Sequence, residues 1–236
     1  MQELNISTWD TSNWAVTSLE RTWTSCYSLK ELDLSNWDTD NWVVTTLNST
    51  WYCCYSLKEL NISTWDTSNW TVTTLSSTWY NCVNLQELDI SDWDTSNWAV
   101  TTIGSAWQGC CNLRELDISS WDTDNWAVIN CSGMFSTNAF LKTIKMPASL
   151  GVSSSATNNV NGSPNIKKLE NFTGLKLYVN HTYANAFSLT KQSLLNIFNT
   201  LPNVTGSKTI TIGQVNRLKL TAEQIAVATQ KGWTVA

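Results

Sequence analysis

Hydrophobic and polar positions recur at a fixed interval across residues 1–142, in five copies that begin at Glu3, Glu31, Glu59, Glu87 and Glu115. Each copy opens with alternating polar and apolar residues, as in ELDLS from Glu31 to Ser35. This alternation predicts a short strand with one buried face. A fixed period of this length predicts units that stack on their neighbours, because no single unit can bury its apolar face alone.

The second half of each copy spaces its apolar anchors by three or four residues. In the second copy these anchors are Val44, Leu47, Trp51, Cys54 and Leu57. Such spacing predicts a short helix, with Thr45 or Thr46 as its N-cap. We therefore expect residues 1–142 to form a right-handed α/β solenoid of the leucine-rich-repeat type, with a parallel sheet on one face and short helices on the other.

A polar turn motif, Trp-Asp-Thr-(Ser/Asp)-Asn-Trp, separates the two halves of every copy. Its Asp, Thr and Ser side chains can satisfy nearby backbone groups, which favours a turn. Its asparagines fall one repeat apart and are predicted to form a ladder in which each amide bonds to the next coil, which would satisfy groups that a tight turn leaves unpaired. They are Asn13, Asn41, Asn69, Asn97 and Asn125.

Residues 143–236 lack the period and are predicted to form irregular repeats and a C-terminal α/β cap. The strand pattern recurs at Leu141–Met146, and the Ser-, Asn- and Gly-rich stretch 148–165 predicts a loop. Helices are predicted at Ser188–Leu201 and Thr221–Lys231, the second capped by Thr221. Short strands are predicted at Ile166–Leu169, Leu175–Val179, Lys208–Ile212 and Gly232–Val235.

Fourteen of the fifteen tryptophans fall into three columns of equivalent positions. We expect the first and third columns to be stacked core rings. The second column flanks the polar turn; core is again the favoured interpretation, and an exposed ladder at Trp42, Trp70 and Trp98 that contacts a sugar or protein is the alternative. The seven cysteines, four of them in one column, are predicted to be reduced and structural, with disulfides or a metal site as alternatives.

Charge is divided unevenly along the chain. Residues 1–142 carry 17 acids and 5 bases, whereas residues 143–236 carry 2 acids and 9 bases. Acidic and polar side chains form rows on the outward side of the predicted strands, interpreted either as a solvated sheet face or as a concave binding face. The candidate binding residues are Glu31, Asp33, Ser35, Glu59, Asn61, Glu87, Asp89, Glu115 and Asp117.

The same composition argues against several functions. The acidic repeat surface would repel phosphate, so no nucleic-acid partner is expected, and no apolar run is long enough for a membrane span. The chain has one histidine and none of the established hydrolase or phosphate-loop motifs. We predict no catalytic residues, no metal, no cofactor and no enzymatic activity.

The repeat resembles that of BspA-like leucine-rich-repeat proteins of bacterial surfaces. SNWDTDN followed by a Val-Thr step, an aromatic residue, a cysteine and SLKEL carries the resemblance, which covers residues 1–142. The ending from SLLNIFNTL to KLTAEQIAVATQKGWTVA resembles endings of gut-bacterial surface and phage tail-associated proteins. The resemblance implies a non-catalytic adhesion module for a protein or carbohydrate ligand, located at a cell surface, outside the cell or on a virion.

The alternative is a structural subunit that self-associates through its N-terminal coil. Leu4, Ile6 and Trp9 would be bare on that edge, and uncovered ends of repeat stacks tend to associate. No secretion signal is visible, and Met1 stands where other repeat junctions have Leu, so we expect the chain to be the C-terminal part of a longer protein.

Overall fold

The computed structural model describes residues 4, 6, 8–152, 166–178 and 180–236. Within those ranges the chain forms ten short strands and three helices, and the strands pair into small parallel sheets. The strands are β1 (Glu31–Asp33), β2 (Glu59–Asn61), β3 (Glu115–Asp117), β4 (Thr143–Lys145), β5 (Gly151–Val152), β6 (Asn171–Thr173), β7 (Lys176–Leu177), β8 (His181–Thr182), β9 (Lys208–Thr211) and β10 (Trp233–Val235). The helices are α1 (Lys191–Thr200), α2 (Gly213–Arg217) and α3 (Ala222–Thr229).

Equivalent residues of neighbouring units pair in parallel register. Glu31 lies opposite Glu59 and Leu32 opposite Leu60, so each residue pairs with its counterpart one full repeat later. Strand β3 pairs with β4 in the same way, and β6 extends this sheet on the far side of β4. The fold is therefore repeat-like, and the predicted period sets which residues become neighbours. The outward side of these strands, from unit two to unit five, is called the strand face below.

The predicted helices in the second half of each repeat are wrong. Residues 48–53, 76–81 and 104–109 form runs of consecutive turns. Backbone N–H groups alternate between a carbonyl three residues back and a carbonyl of the next unit: Thr78 donates to Leu75, and Trp79 donates to Ala106 over 2.8 Å. Thr45 and Thr46 accordingly cap no helix. Each run together with the residue before it (47–53, 75–81 and 103–109), and the counterparts at 19–25 and 131–137, are called the turn face.

Left-handed backbone conformations explain why the turn face is not helical. Ser49 and Cys53 have φ of 56° and 60°, and the equivalent Ser77 and Asn81 have 55° and 56°. A left-handed residue at every fourth position breaks the helix and turns alternate N–H groups toward the next unit. At the equivalent Gly109 (φ 76°), an added Cβ would lie 2.1 Å from the side-chain oxygen of Asn81.

The polar turn motif forms the ladders that its composition predicts. The Asn41 amide donates to the carbonyl of Ser12 in the preceding unit over 2.9 Å, and Asn69, Asn97 and Asn125 repeat this contact. Thr39, which is buried, points the other way: its hydroxyl donates to the carbonyl of Asp66 and accepts from the Asp66 N–H over 2.8 Å. The asparagine ladder is confirmed, but its predicted direction is wrong, because each amide donates to the preceding unit and not to the next one.

Stacked aromatic rings fill the space between the strand face and the turn face. In the third tryptophan column, Trp79 lies 5.6 Å from both Trp51 and Trp107 with rings within 9° of parallel. In the first column, Trp65 donates its indole N–H to the carbonyl of Leu34 in the preceding unit, and Trp93 does the same to Ile62. Both columns are core, as predicted, apart from Trp9, which is 49% exposed.

The C-terminal part adds helices to further parallel strands. Helices α1 and α3 lie inside the predicted ranges, and the Thr221 side chain caps α3 by accepting from Gln224 N–H. Strands are confirmed at Lys208–Thr211, Trp233–Val235 and Lys176–Leu177. The strand predicted at Ile166–Leu169 is wrong: that segment is a turn, and the strand comes later, at β6. Strands β5 and β8 and helix α2 were not predicted. Most of the predicted 148–165 loop, the end of the predicted 175–179 strand and the first strand residues of unit one lie outside the described residues.

Candidate functional site

The strand face brings the nine predicted binding residues onto one side of the molecule. Their neighbours in sequence, the leucines and isoleucines of each strand, point into the core because successive strand residues alternate sides. Seven of the nine are exposed, and Ser35 and Asp117 are half-buried; the nine are Glu31, Asp33, Ser35, Glu59, Asn61, Glu87, Asp89, Glu115 and Asp117. The face therefore presents rows of carboxylates and amides to solvent.

Local hydrogen bonds hold the aspartates of this face in place. A carboxylate oxygen of Asp33 accepts from the N–H of Ser35 over 3.1 Å, and Asp117 and Asp89 make the same contact with Ser119 and Ser91. Hydrogen bonds from Ser35 lower the pKa of Asp33, and the amide of Asn61 on the neighbouring strand adds to this effect. Asp33 is thus a fixed acceptor that stays ionised at neutral pH.

The junction between β3 and β4 is closed by a lysine. The Lys145 ammonium lies 2.8 Å from Oδ2 of Asp117 and 3.3 Å from Oε1 of Glu115. These contacts raise the pKa of Lys145, the hydrogen bond to Asp117 contributing most. Burial acts to raise the pKa of Asp117, but hydrogen bonds from Lys145 and Ser119 outweigh it and lower that pKa. Opposite charges directly across a strand pair stabilise the pairing.

The two junctions around unit four lack paired strands, although the Gln86 N–H donates to the Lys58 carbonyl over 3.3 Å between units three and four. Glu87–Asp89, the segment equivalent to β1, β2 and β3, pairs with neither neighbour and is not a strand. A groove of about 400 Å³ separates it from unit three and one of about 520 Å³ from unit five. Glu87 lies between Glu59 and Glu115 in the repeat, but Glu31 also lies opposite Glu59 across the paired β1–β2 junction, so like charge at this position does not by itself prevent pairing. The predicted continuous sheet is therefore interrupted in the middle of the candidate site.

The sequence carries a signal for this interruption. A basic residue precedes the strand glutamate in the other described units, and Gln86 takes that place in unit four; the basic residues are Lys30, Lys58, Arg114 and, before β4, Lys142. Unit four thus lacks the positive charge next to its strand. Asp89 is also followed one repeat later by Asp117, whereas Asp33 lies opposite Asn61 across the paired β1–β2 junction.

The interpretation of the second tryptophan column as a contact surface is wrong. Trp42, Trp70 and Trp98 are each 0% exposed. Their rings stack 6.4 Å apart within 10° of parallel and sit at a tilt against the first column, Trp42 at 56° to Trp65. A partner cannot reach these rings in the folded chain. Because these tryptophans flank a polar turn, the sequence did not determine whether they are exposed. The parallel stacking of the turns buries them.

Exposed aromatic side chains occur elsewhere, at positions that the sequence reasoning missed. Tyr27 and Tyr55 stack 5.3 Å apart and are 54% and 41% exposed, and Tyr52 stacks on Tyr80 at 4.8 Å. The two tyrosines of each pair occupy equivalent positions in successive repeats, which is the signal that could have found them. They extend the turn face of units one to three with a small aromatic surface.

The cysteine column is structural in the described residues. Cys54, Cys82 and Cys110 each donate a thiol hydrogen bond to a carbonyl of the preceding unit, with sulfur–oxygen distances of 3.1–3.2 Å. Burial raises the pKa of Cys110 and Cys82 and raises that of Cys131 to about 11. All seven cysteines are free thiols. In the part of the chain that the structure describes, no group of three His, Cys, Asp or Glu is arranged to hold a metal ion.

His181 is also buried. It packs edge-on against Tyr183 with ring centroids 4.5 Å apart, and its Nε2 has no hydrogen-bond partner. Burial lowers the pKa of His181 to about 3. None of the helices in the described ranges is long and apolar enough to cross a membrane.

Repeating strands in register, stacked aromatic columns and one polar face together define a repeat protein. The chain matches the family described as "Mycoplasma protein of unknown function, DUF285" over residues 1–71 and 45–161, which together cover more than half of it, and it belongs to this family. No curated protein matches the chain.

Proposed function

We propose that this chain is a non-catalytic binding module of a bacterial surface or phage appendage protein, located on a cell surface, outside the cell or on a virion. Its repeats would form a right-handed solenoid of the BspA-like leucine-rich type that presents the strand face to a protein or carbohydrate partner. The observation that carries the proposal is the set of nine polar and acidic side chains on one side of the stacked repeats.

The rigidity and regular spacing of its side chains suit the strand face to binding. Side chains on neighbouring strands repeat at about 4.8 Å, the distance between paired strands. The aspartates are fixed by hydrogen bonds to serine N–H groups, so little side-chain freedom remains to be lost when a partner binds. Carboxylates and amides in such rows can accept from hydroxyl, amide or ammonium donors, which suits both sugars and polypeptides.

The experiment is a binding screen of the purified chain against a glycan array and a panel of host surface proteins. The test variant carries Glu31→Gln and Glu59→Gln on the strand face. The matched control carries Asp40→Asn and Asp124→Asn, which removes the same charge from exposed turn positions. We expect a ligand that the control retains and the test variant loses by about tenfold or more, which corresponds to ~1.4 kcal/mol. Equal binding by both variants would contradict the proposal.

Self-assembly is the second candidate, favoured by the apolar surface of the first coil. Trp9 is 49% exposed while its ring stacks on Trp37 at 6.3 Å, and Tyr27 of the same unit is 54% exposed, whereas Ile6 is 3% exposed and is not bare as predicted. Exposed stacked rings of this kind suit contact with another coil. Native mass measured across a range of protein concentrations separates the two candidates. A mass that rises with concentration and falls back with Trp9→Ser favours self-assembly, and a constant monomer mass excludes it.

A further inference from the structure

We propose that the side of unit one that faces away from unit two is a docking surface for another coil of the same repeat type. That coil is the last one of a separate chain and presents its C-terminal side. The surface, called the first edge below, is formed by groups of residues 9–27. The inference goes beyond ligand binding at the strand face and does not depend on it.

Two backbone N–H groups on the first edge lack the acceptors that their counterparts have. In unit two, the N–H of Val43 donates to the carbonyl of Val16 over 2.9 Å. The N–H of Thr45 donates to the carbonyl of Thr17 over 3.0 Å, and units three, four and five repeat both bonds. The counterparts in unit one are Ala15 and Thr17, whose N–H groups find no acceptor among the described residues. They are therefore available to the carbonyls of a further coil.

A row of carbonyls on the first edge lacks donors in the same way. On the turn face each unit donates to the next, as when the N–H of Trp23 reaches the carbonyl of Thr50 over 2.9 Å. Four such bonds join units one and two. The four counterpart carbonyls of unit one have no donor in the described ranges; they belong to Ser18, Glu20, Thr22 and Thr24. Unpaired backbone rows of this kind bind another chain through main-chain hydrogen bonds.

Side chains on the first edge are exposed where their counterparts are buried. Trp9 is 49% exposed, whereas Trp37, one repeat later, is 7% exposed. The Trp37 indole N–H donates to the carbonyl of Ile6 over 3.3 Å, and no described residue accepts from the indole of Trp9. Trp14 is half-buried, whereas Trp42 is 0% exposed. A docked coil would bury these rings as unit one buries those of unit two.

A cavity of about 290 Å³ on the first edge has room for one more side chain of the stack. It is lined by Leu4, Ser25, Cys26, Tyr27, Ser28 and Leu29. Tyr55 stacks on Tyr27 at 5.3 Å with rings within 12° of parallel, and Tyr27 is itself 54% exposed. An aromatic residue at the same position of a docked coil would continue this stack and fill the cavity.

The order of donors and acceptors selects the occupant. The C-terminal side of a coil offers carbonyls to the two N–H groups and N–H groups to the row of carbonyls, as unit one does toward unit two. A second copy of this chain has that side covered. Val128 and Asn138 of unit five are 0% and 1% exposed, whereas their counterparts Val16 and Cys26 on the first edge are half-buried. The occupant is therefore a like stack whose last coil is uncovered.

The first test mixes the chain with a probe polypeptide made of three copies of the unit-two sequence, Glu31–Lys58. The first copy of the probe carries Thr45→Pro, which blocks the probe's own first edge. We expect a one-to-one complex in native mass spectrometry, with an affinity that salt changes little because neutral groups make the contact. Trp9→Ser should weaken the complex about tenfold or more. Leu218→Ser, which removes an 80% exposed apolar side chain elsewhere, is the control and should leave the affinity within about twofold.

Thr17→Pro isolates the contribution of the backbone. It removes an N–H that has no acceptor among the described residues, and proline is tolerated where the N–H of an edge strand faces solvent. The unfolding free energy of the chain alone should therefore change little, while probe binding should weaken about tenfold or more. Thr45→Pro is the comparison: it removes an N–H that is bonded to Thr17 and should destabilise the chain.

A second test joins the unit-two sequence directly before Glu3, in place of Met1 and Gln2, so that docking does not depend on affinity. Amide hydrogen exchange at Ala15 and Thr17 should slow about tenfold or more relative to the unaltered chain. The control is a joined segment of the same composition in scrambled order, which should leave both rates unchanged.

Four results would overturn the proposal. Unchanged exchange at Ala15 and Thr17 in the joined form would show that the first edge takes no coil. Slow exchange there without probe binding would rule out a separate chain as the source. Probe binding that survives both Trp9→Ser and Thr17→Pro would place the contact elsewhere. A mass of the chain alone that rises with concentration and falls back in Trp9→Ser would identify a second copy as the occupant.

Discussion

The turn face and the strand face of the same repeats hold neighbouring units together in different ways. Between units three and four, the turn face makes four backbone hydrogen bonds of 2.7–3.0 Å, from Leu75, Ser77, Trp79 and Asn81. Across the same junction the strand face has no paired strand. The units therefore stay stacked through their turns and core rings, whereas strand pairing on the strand face differs from one junction to the next.

This difference indicates which face is available for binding. Buried rings and turn-face hydrogen bonds recur at every described junction from unit one to unit five, so they fix the spacing of the units. The strand face contributes pairing at only some of the described junctions, which leaves its side chains and backbone edges available to a partner. Binding surfaces are commonly placed on a rigid scaffold in this way.

The largest expected effect comes from removing a core ring behind the turn face. Trp79→Ala should lower the free energy of unfolding by ~3–5 kcal/mol, because a fully buried ring stacked on two others is lost and a cavity remains. Urea unfolding monitored by circular dichroism measures it. Trp79→Phe is the matched control and should cost far less, since Phe135 occupies the same column. A loss below ~1 kcal/mol for the alanine variant would show that the rings do not hold the units together.

A smaller effect is expected from the turn motif. Thr39→Val removes the hydroxyl that both donates to and accepts from the backbone of Asp66 in the next unit. It should cost ~1–3 kcal/mol, because the Asp66 N–H and C=O lose a partner in a part-buried place. Thr45→Val, at an exposed threonine that donates to the carbonyl of Thr17, is the control and should cost less. Equal losses of unfolding free energy for the two variants, measured by urea unfolding, would mean that burying the threonine hydroxyl adds nothing to stability.

The repeat period made most of the fold predictable from the sequence. Side chains one repeat apart were predicted to stack, and the asparagine ladder and two tryptophan columns follow from that alone. The helix on the turn face was wrong because anchors spaced by three and four residues also fit successive turns. The distinguishing signal lies between the anchors, where Asn81, Gly109 and Gly133 adopt left-handed backbone conformations.

The candidate site was predictable as a surface, but not the junctions at which its strands pair. Alternation placed Glu87, Asp89 and their equivalents outward, but it could not tell which junctions pair, because the same Glu–Glu match occurs across the paired β1–β2 junction and beside unit four. Gln86 and the Asp89–Asp117 match were visible in the sequence as departures from the repeat. The exposure of Trp42 depended on how tightly the turns stack, which no pattern of residues along one unit specifies.

The smallest effect on stability is expected from changing the charge at two junctions of the strand face. These changes are also the sharpest test of the difference between the two faces. Lys145→Gln should open the β3–β4 junction, and Gln86→Lys should close one beside unit four. The Lys145 side chain is 43% exposed, so each change should alter the free energy of unfolding by less than ~1 kcal/mol. Amide hydrogen exchange at Ile118, which donates to the Lys145 carbonyl, should be faster in Lys145→Gln, and exchange at Leu88 slower in Gln86→Lys.

The pH dependence of the β3–β4 junction's stability follows from Asp117. Its pKa is lowered from 3.8 in the folded chain, so its contribution to stability is fully present above pH 3.8 and is lost as the pH falls through the lowered value. Exchange at Ile118 in the unaltered chain should therefore approach that of Lys145→Gln only below pH 3.8, while turn-face amides such as that of Trp79 stay protected. Loss of turn-face protection at the same pH would mean that the two faces open together and that charge on the strand face does not act alone.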